Sequence, residues 1–202
     1  MTPVTRGFRG RSGGRDTRLP PGQYDTGRSW PVLTAEATPK IDPTGWTFTI
    51  EGLVASPTTW SWDEMHALPQ SVYDGAIHCV TTWSKFDMHW EGVALDTLFE
   101  IAQPSASATH VVAYSATGYT TNLPIDDVVG GKAWVAFAAD GAPLSRDHGG
   151  PARLLVPHLY FWKSAKFVTG LRVLDHDEPG FWEVRGYHDR GDPWLEQRYQ
   201  GD

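Results

Sequence analysis

Large apolar residues occupy every second position in several short stretches, for example in residues 46–50 and again in residues 86–90. This period of two is typical of strands that bury one face and expose the other. Residues 72–80 predict a more buried strand, which brings Cys79 to its end. The pattern as a whole predicts strands over residues 46–50, 72–80, 86–90, 111–114, 119–123, 134–138, 152–156 and 167–174.

Short helices are expected between these strands. Ser61 and Glu64 have the spacing of a capping box, which predicts a helix that runs to Leu68 and stops before a proline. Apolar residues at helical spacing predict a second helix over residues 95–102, and a third is expected over residues 125–129. All of these segments are short compared with the number of strands.

Strands dominate, and neither a regular alternation of strand and helix nor an internal repeat is visible. This pattern favours an α+β fold built around a mixed β-sheet. A Rossmann dinucleotide fold is disfavoured, because no glycine fingerprint follows a predicted strand. Residues 1–17 are rich in glycine and arginine with almost no apolar content, so they predict a disordered tail before a single domain over residues 18–202.

Composition places the chain among ordinary globular proteins, with 40% hydrophobic and 20% charged residues in 202. No apolar run approaches the roughly 20 residues of a membrane helix, so no membrane span is expected. The arginines near the amino terminus include no adjacent pair and precede no apolar stretch, so no export signal is predicted. A cytoplasmic location follows as the expectation, and the single cysteine agrees with a reducing compartment.

Charge is distributed unevenly along the chain. The net charge of −7 argues against nucleic acid as a partner, because phosphate binding needs a basic face. Residues 144–172 nevertheless contain five cations and one acid, a local charge of +4. This segment indicates either a site for a small anion or an ordinary solvated face.

Cys79 is the only cysteine, so it cannot form an internal disulfide. It is an inert buried thiol, a reactive thiol or a metal ligand. His78 is a poor candidate base for it, because adjacent strand residues point to opposite faces. The histidines lack the ligand spacing of a zinc site. Two readings remain: a Trp-rich module that binds planar ligands, and a thiolate that binds a soft metal already held by an anionic cofactor.

The block RDHGGPARLLVP at residues 146–157 is similar to the cofactor-binding motif of the sulfite oxidase-type molybdopterin oxidoreductases. Over roughly residues 18–202 the chain resembles the small bacterial, single-domain members of that family. The resemblance implies the family's sheet-rich fold and contacts from His148 and Arg153 to molybdopterin. The segment KSAK at residues 163–166 resembles the following loop, which implies that Lys163, Ser164 and Lys166 hold the pterin phosphate.

Cys79 falls where the family places the cysteine that binds molybdenum. The resemblance therefore implies a thiolate ligand beside the sulfurs of the cofactor. Tyr187, five residues after a tryptophan, resembles the family's active-site tyrosine. Arg28 lies where the family has a residue on the substrate or pterin side, and Trp30 replaces a family histidine. Ser115, at the end of a predicted strand, is a further candidate pterin contact.

One departure concerns Ser84, five residues after the cysteine, where sulfite oxidases carry an arginine that binds sulfite. Sulfite is therefore a doubtful substrate. The resemblance implies a molybdenum enzyme that transfers an oxygen atom and two electrons to or from a small substrate, with S- and N-oxides as candidates. Cys79, Tyr187 and Arg28 would act in catalysis, and electrons would pass through a separate protein. The alternative is a non-catalytic, Trp-rich binding module with the same fold.

Overall fold

The structure is a computed structural model that describes residues 17–35 and 37–202. The predicted tail over residues 1–17 therefore lies, apart from Thr17, outside the described residues. Two α-helices accompany eleven strands in this part of the chain. In chain order the elements are β1 (Tyr24–Asp25), β2 (Thr47–Gly52), β3 (Thr58–Ser61), α1 (Trp62–Ala67), β4 (Ser71–His78), β5 (Trp83–Ala94), α2 (Leu95–Ala102), β6 (His110–Ser115), β7 (Thr120–Pro124), β8 (Trp134–Ala139), β9 (Ala142–Pro143), β10 (Arg153–Leu155) and β11 (Val168–Leu174).

The strands form two mixed sheets. The first has the order β1-β5-β8-β10, with β4 added to β5 and β9 to β8, and the second has the order β3-β2-β11-β6-β7. The pairs β1–β5 and β2–β11 are parallel, and the other pairs are antiparallel. This arrangement confirms the predicted sheet-rich α+β class with short helices.

Two apolar clusters stabilise these sheets. The larger one combines the inner face of the second sheet with α2, and it includes the fully buried Phe48, Leu98 and Leu171. The smaller one packs on the first sheet around Trp90 and Tyr160. Each fully buried large side chain stabilises the fold by about 1.5–3 kcal/mol. The smaller cluster is rich in aromatic residues, and it forms the floor on which the site is built.

The capping box is present: the Ser61 hydroxyl accepts from the Glu64 amide, and the Glu64 carboxylate accepts from the Ser61 amide. The short helix expected over residues 125–129 is present as a 3-10 helix over Ile125–Asp127, two residues shorter than predicted. Strands β1, β3 and β9 were not predicted, because they are short and carry few apolar residues. No helix in the described ranges is long and apolar enough to span a membrane.

Candidate functional site

The hairpin of β4 and β5 turns tightly at Cys79. The strand ends at His78, and the Cys79 amide donates to the carbonyl of Trp83 at 2.8 Å. The Thr82 amide closes the turn on the Cys79 carbonyl at 3.0 Å, with Thr82 at a φ of 79°. Cys79 is thus the first residue of a turn, named here the cysteine turn (residues 79–82).

The Cys79 side chain is 7% exposed, and burial raises the pKa of its thiol. Its Sγ lies 3.2 Å from the Oγ1 of Thr81. His78 does not face it: the Nδ1 of His78 lies 2.8 Å from the Oγ of Ser84, and burial lowers the His78 pKa to about 4. The two neighbouring side chains therefore make separate contacts, although the strand ends at His78 and Cys79 already belongs to the turn.

Cys79 lines a cavity of about 300 Å³, a size at the lower end of small-molecule pockets. The described residues contain no group of three His, Cys, Asp or Glu side chains that could hold a metal without a cofactor. Aromatic rings supply much of the cavity wall; they include Trp30, Trp83, Phe161, Trp162, Trp182 and Tyr187.

Arg153, on β10, is 1% exposed and lines the same cavity. Its guanidinium donates to the carbonyls of His148 at 2.8 Å and Ser164 at 2.7 Å, and it lies 3.9 Å from the centre of the Phe161 ring. Burial lowers the Arg153 pKa to about 9. The predicted cofactor motif therefore folds so that its arginine is a buried cation at the cavity wall.

Lys166 is the second cation that lines the cavity. Its ammonium group donates to the carbonyls of Leu33 and Asp147. Burial, and next the neighbouring charge of Arg153, lower the Lys166 pKa to about 8. Among the described residues neither cation forms an ion pair with a carboxylate. Two adjacent cations without an acidic partner suit an anionic ligand.

The other three cations of the 144–172 segment lie outside the cavity lining. Arg146 donates to the carbonyls of Thr38 and Pro39, and Arg172 pairs with Glu178. Lys163 is fully buried and pairs with a carboxylate instead of lining the cavity. The anion site inferred from the sequence therefore reduces to Arg153 and Lys166.

His148 and Trp30 form one wall together. Their rings stack with centroids 3.6 Å apart and planes 8° from parallel, and both residues line the cavity. Burial, followed by the charges of Arg153 and Lys166, lowers the His148 pKa to about 4. His148 is therefore neutral near pH 7.

The structure places the remaining predicted residues in different ways. Ser164 and Tyr187 line the cavity. Ser115 lies beside it, where its hydroxyl donates to the Lys166 carbonyl at 2.6 Å. Arg28 is exposed and does not line the cavity, so the geometry does not bring it to the site.

Lys163 requires a correction. Its ammonium group donates to the Glu183 carboxylate at 2.7 Å, to the side-chain oxygen of Asn122 at 2.8 Å and to the Asp189 carbonyl. Burial lowers the Lys163 pKa, and the charge of Glu183 opposes that shift. The side chain is thus engaged inside the protein, where it anchors the carboxy-terminal segment rather than facing the cavity.

Sequence reasoning missed several lining residues, among them Thr117, Pro31, Leu33, Thr34 and Ala35. Three lining residues also carry a buried polar atom without a hydrogen-bond partner among the described residues: Nε1 of Trp83, Oγ1 of Thr117 and Nε of Arg153. Buried polar groups are normally paired. These three unpaired polar atoms lie in residues that line the cavity together with two cations and one thiol. This set of groups fits a cofactor with anionic and polar groups such as molybdopterin.

Comparisons with known proteins identify the family of this chain. Residues 35–182 match the model of the oxidoreductase molybdopterin binding domain. The chain is 42% identical to the uncharacterized oxidoreductase YuiH of Bacillus subtilis (strain 168), over 95% of this chain and 97% of that protein.

Two further similarities cover only part of the longer proteins. The chain is 27% identical to the protein-methionine-sulfoxide reductase catalytic subunit MsrP of Gluconobacter oxydans (strain 621H), over 79% of this chain and 56% of that protein. The sulfane dehydrogenase SoxCD from Paracoccus pantotrophus matches in fold with a TM-score of 0.64 at 22% identity, over 69% of this chain and 40% of that chain. This chain thus belongs to the sulfite oxidase-type family of molybdopterin oxidoreductases, and it is an enzyme whose cofactor is molybdopterin with molybdenum.

Proposed function

We propose that this enzyme reduces small organic sulfoxides, with methionine sulfoxide as the leading candidate. The name of the Gluconobacter relative supports a sulfoxide substrate. The same name describes a catalytic subunit, which supports a separate electron-transfer protein as the source of electrons. The charge distribution in the cavity carries the proposal.

Arg153 and Lys166 are the cationic side chains among the described residues that line the cavity, and no acid lines it. We assign both to the anionic group of the cofactor. His148 is neutral near pH 7, because its pKa is lowered to about 4. The lining residues therefore retain no cation for a second anion such as sulfite, whereas a neutral sulfoxide needs none.

Ser84 supports the same conclusion. It occupies the position of the family's sulfite-binding arginine, yet it is fully buried and lies outside the cavity lining. Its hydroxyl bonds to His78 instead. The chain therefore offers neither the charge nor the location that a sulfite clamp at this position requires.

In the proposed reaction the S–O bond of the sulfoxide breaks. The sulfur is reduced to a thioether by two electrons from the redox protein, and the oxygen leaves as water with two protons. The bound molybdenum cofactor supplies the chemistry of oxygen and two-electron transfer.

The residues of the chain bind and orient. We assign the Cys79 thiolate as the protein's ligand to the metal, since soft sulfur suits such a metal. Burial raises the Tyr187 pKa to about 12, so its hydroxyl stays protonated and can donate a hydrogen bond to the sulfoxide oxygen. Rings such as Trp83 and Trp182 suit the thioether part of the substrate, because sulfur–aromatic contacts contribute about 0.3–1.5 kcal/mol.

A substrate comparison with the loaded enzyme tests the proposal. Methionine sulfoxide would be assayed with a reduced viologen dye, and sulfite with ferricyanide. We expect kcat/KM for the sulfoxide to exceed that for sulfite by at least about tenfold, because a missing charged hydrogen bond costs roughly 1.5–3 kcal/mol. Sulfite oxidation at an equal or higher kcat/KM would contradict the proposal.

The anchor role of Arg153 gives a second test. Arg153→Met should lower the affinity for the cofactor by about 10- to 100-fold, because charge-assisted hydrogen bonds contribute about 1.5–3 kcal/mol. Pterin content per protein, measured by fluorescence after oxidative release, reports the change. Arg146→Met is the matched control, since Arg146 lies in the same motif and also bonds two carbonyls, but outside the cavity lining. Equal pterin content in the two variants would refute the assignment.

A further inference from the structure

The carboxy-terminal segment, residues 183–202, lies beyond the range that the family model matches. It folds back on the cysteine turn and pairs with itself where Tyr187 bridges to Tyr199. Its arginine Arg198 is 4% exposed and does not line the cavity. Arginine is rarely buried without a partner. Because Arg198 does not line the cavity, it can affect the site only through a residue that it contacts.

Arg198 holds the cysteine turn directly. Its Nη1 donates to the carbonyl of Val80, the residue after Cys79, at 2.8 Å. Its Nη2 donates to the Pro21 carbonyl at 3.3 Å, and its guanidinium lies 5.0 Å from the centre of the Tyr160 ring. The planar group thus joins the turn to the amino-terminal segment and to the aromatic floor.

The contacts from the amino-terminal segment are complementary. The side-chain amide of Gln23 donates to the Cys79 carbonyl at 3.1 Å, and the Tyr24 amide donates to the Thr82 carbonyl at 2.9 Å. The carbonyls of Cys79, Val80 and Thr82 are therefore each bonded by a donor from a distant part of the chain. Among these three donors the guanidinium of Arg198 is the charged one, and charged donors form the stronger hydrogen bonds.

We propose that Arg198 is a positioning residue for Cys79. By fixing the Val80 carbonyl, it holds the cysteine turn in the orientation that presents the thiol to the cofactor. Completion of the metal site then depends on docking of the carboxy-terminal segment, which lies outside the matched domain. The inference rests on the proposed role of Cys79 as the metal ligand and is independent of the substrate.

Amide hydrogen exchange on the cofactor-free protein tests the positioning. Arg198→Met should accelerate exchange across residues 79–82 by at least about tenfold, because the charged hydrogen bond that fixes the Val80 carbonyl is lost. Arg198→Lys should give an intermediate value, since one ammonium group can still reach the Val80 carbonyl. If the methionine variant does not fold, the lysine variant is compared with the wild-type protein instead.

Arg190→Met is the matched control, because Arg190 lies in the same segment and pairs with Asp127, away from the turn. Faster exchange of residues 79–82 in both Arg198→Met and Arg190→Met, or in neither, would overturn the inference. It is also overturned if Arg198→Lys exchanges as fast as Arg198→Met.

The loaded protein provides a spectroscopic readout. The visible absorption band from thiolate to metal should shift or weaken in Arg198→Met at unchanged pterin content, and remain as in wild type in Arg190→Met. A different result is faster exchange of residues 79–82 in Arg198→Met together with a wild-type protein that shows no such band. In that case Cys79 is not the metal ligand, and the proposed function fails while the positioning of the turn stands. If the band of Arg198→Met is the same as that of the wild-type protein, the turn does not set the position of the thiol.

Discussion

Replacing Cys79 by serine is expected to lower sulfoxide turnover by at least about 100-fold. Loss of a group that only orients a metal ligand typically costs 10- to 100-fold, so loss of the ligand atom itself should reach or exceed the upper end of that range. Serine keeps a hydrogen-bonding partner for Thr81, whose Oγ1 lies 3.2 Å from the sulfur. Turnover is measured with methionine sulfoxide and a reduced dye.

Pterin content should be unchanged in Cys79→Ser, because the proposed anchors Arg153 and Lys166 are intact. The thiolate absorption band should disappear. These two measurements distinguish a metal ligand from the inert buried thiol that a lone cysteine also permits. Wild-type turnover together with an unaltered spectrum in Cys79→Ser would establish the inert thiol.

Lys163→Met is expected to lower the free energy of unfolding of the cofactor-free protein by about 3–5 kcal/mol, the usual cost of breaking a buried ion pair. Both partners are fully buried, and the Oε1 of Glu183 also accepts from Trp162 at 2.9 Å. Without the lysine, the Glu183 carboxylate remains buried without its cation. Denaturant unfolding in the absence of the cofactor provides the measurement.

The double variant Lys163→Met/Glu183→Gln should recover part of the loss, because the amide oxygen can still accept from Trp162 while no charge is left buried. Arg172→Met serves as the comparison at an exposed ion pair, where a change below about 1 kcal/mol is expected. A Lys163→Met protein that loses pterin at unchanged unfolding free energy would instead identify this lysine as a cofactor contact.

Local patterns carried much of the correct prediction. Three features depend on neighbours within a few residues: the period of the strands, the capping box at Ser61 and the helix over Leu95–Ala102. Such features can be predicted from short stretches of sequence. The motif around Arg153 was identified by its resemblance to a known family, and the guanidinium bonds to backbone five and eleven residues away. The apolar run of residues 72–80 placed Cys79 at the end of a strand, and the structure ends that strand one residue earlier, at His78.

Contacts between distant parts of the chain determine the features that the sequence did not predict. Lys163 and Lys166 are three residues apart and chemically identical, yet one meets Glu183 inside the protein and the other lines the cavity. Arg198 bonds to Val80 across 118 residues, a pairing that no local pattern encodes. The sequence by itself determined the fold class and the placement of the cysteine close to a strand end, because these depend on short-range periodicity. The cofactor motif was visible in the sequence through its resemblance to a known family. Only the tertiary structure decided which cations face the cavity and which residues hold the cysteine turn, because burial and pairing of a charge depend on partners brought together by folding.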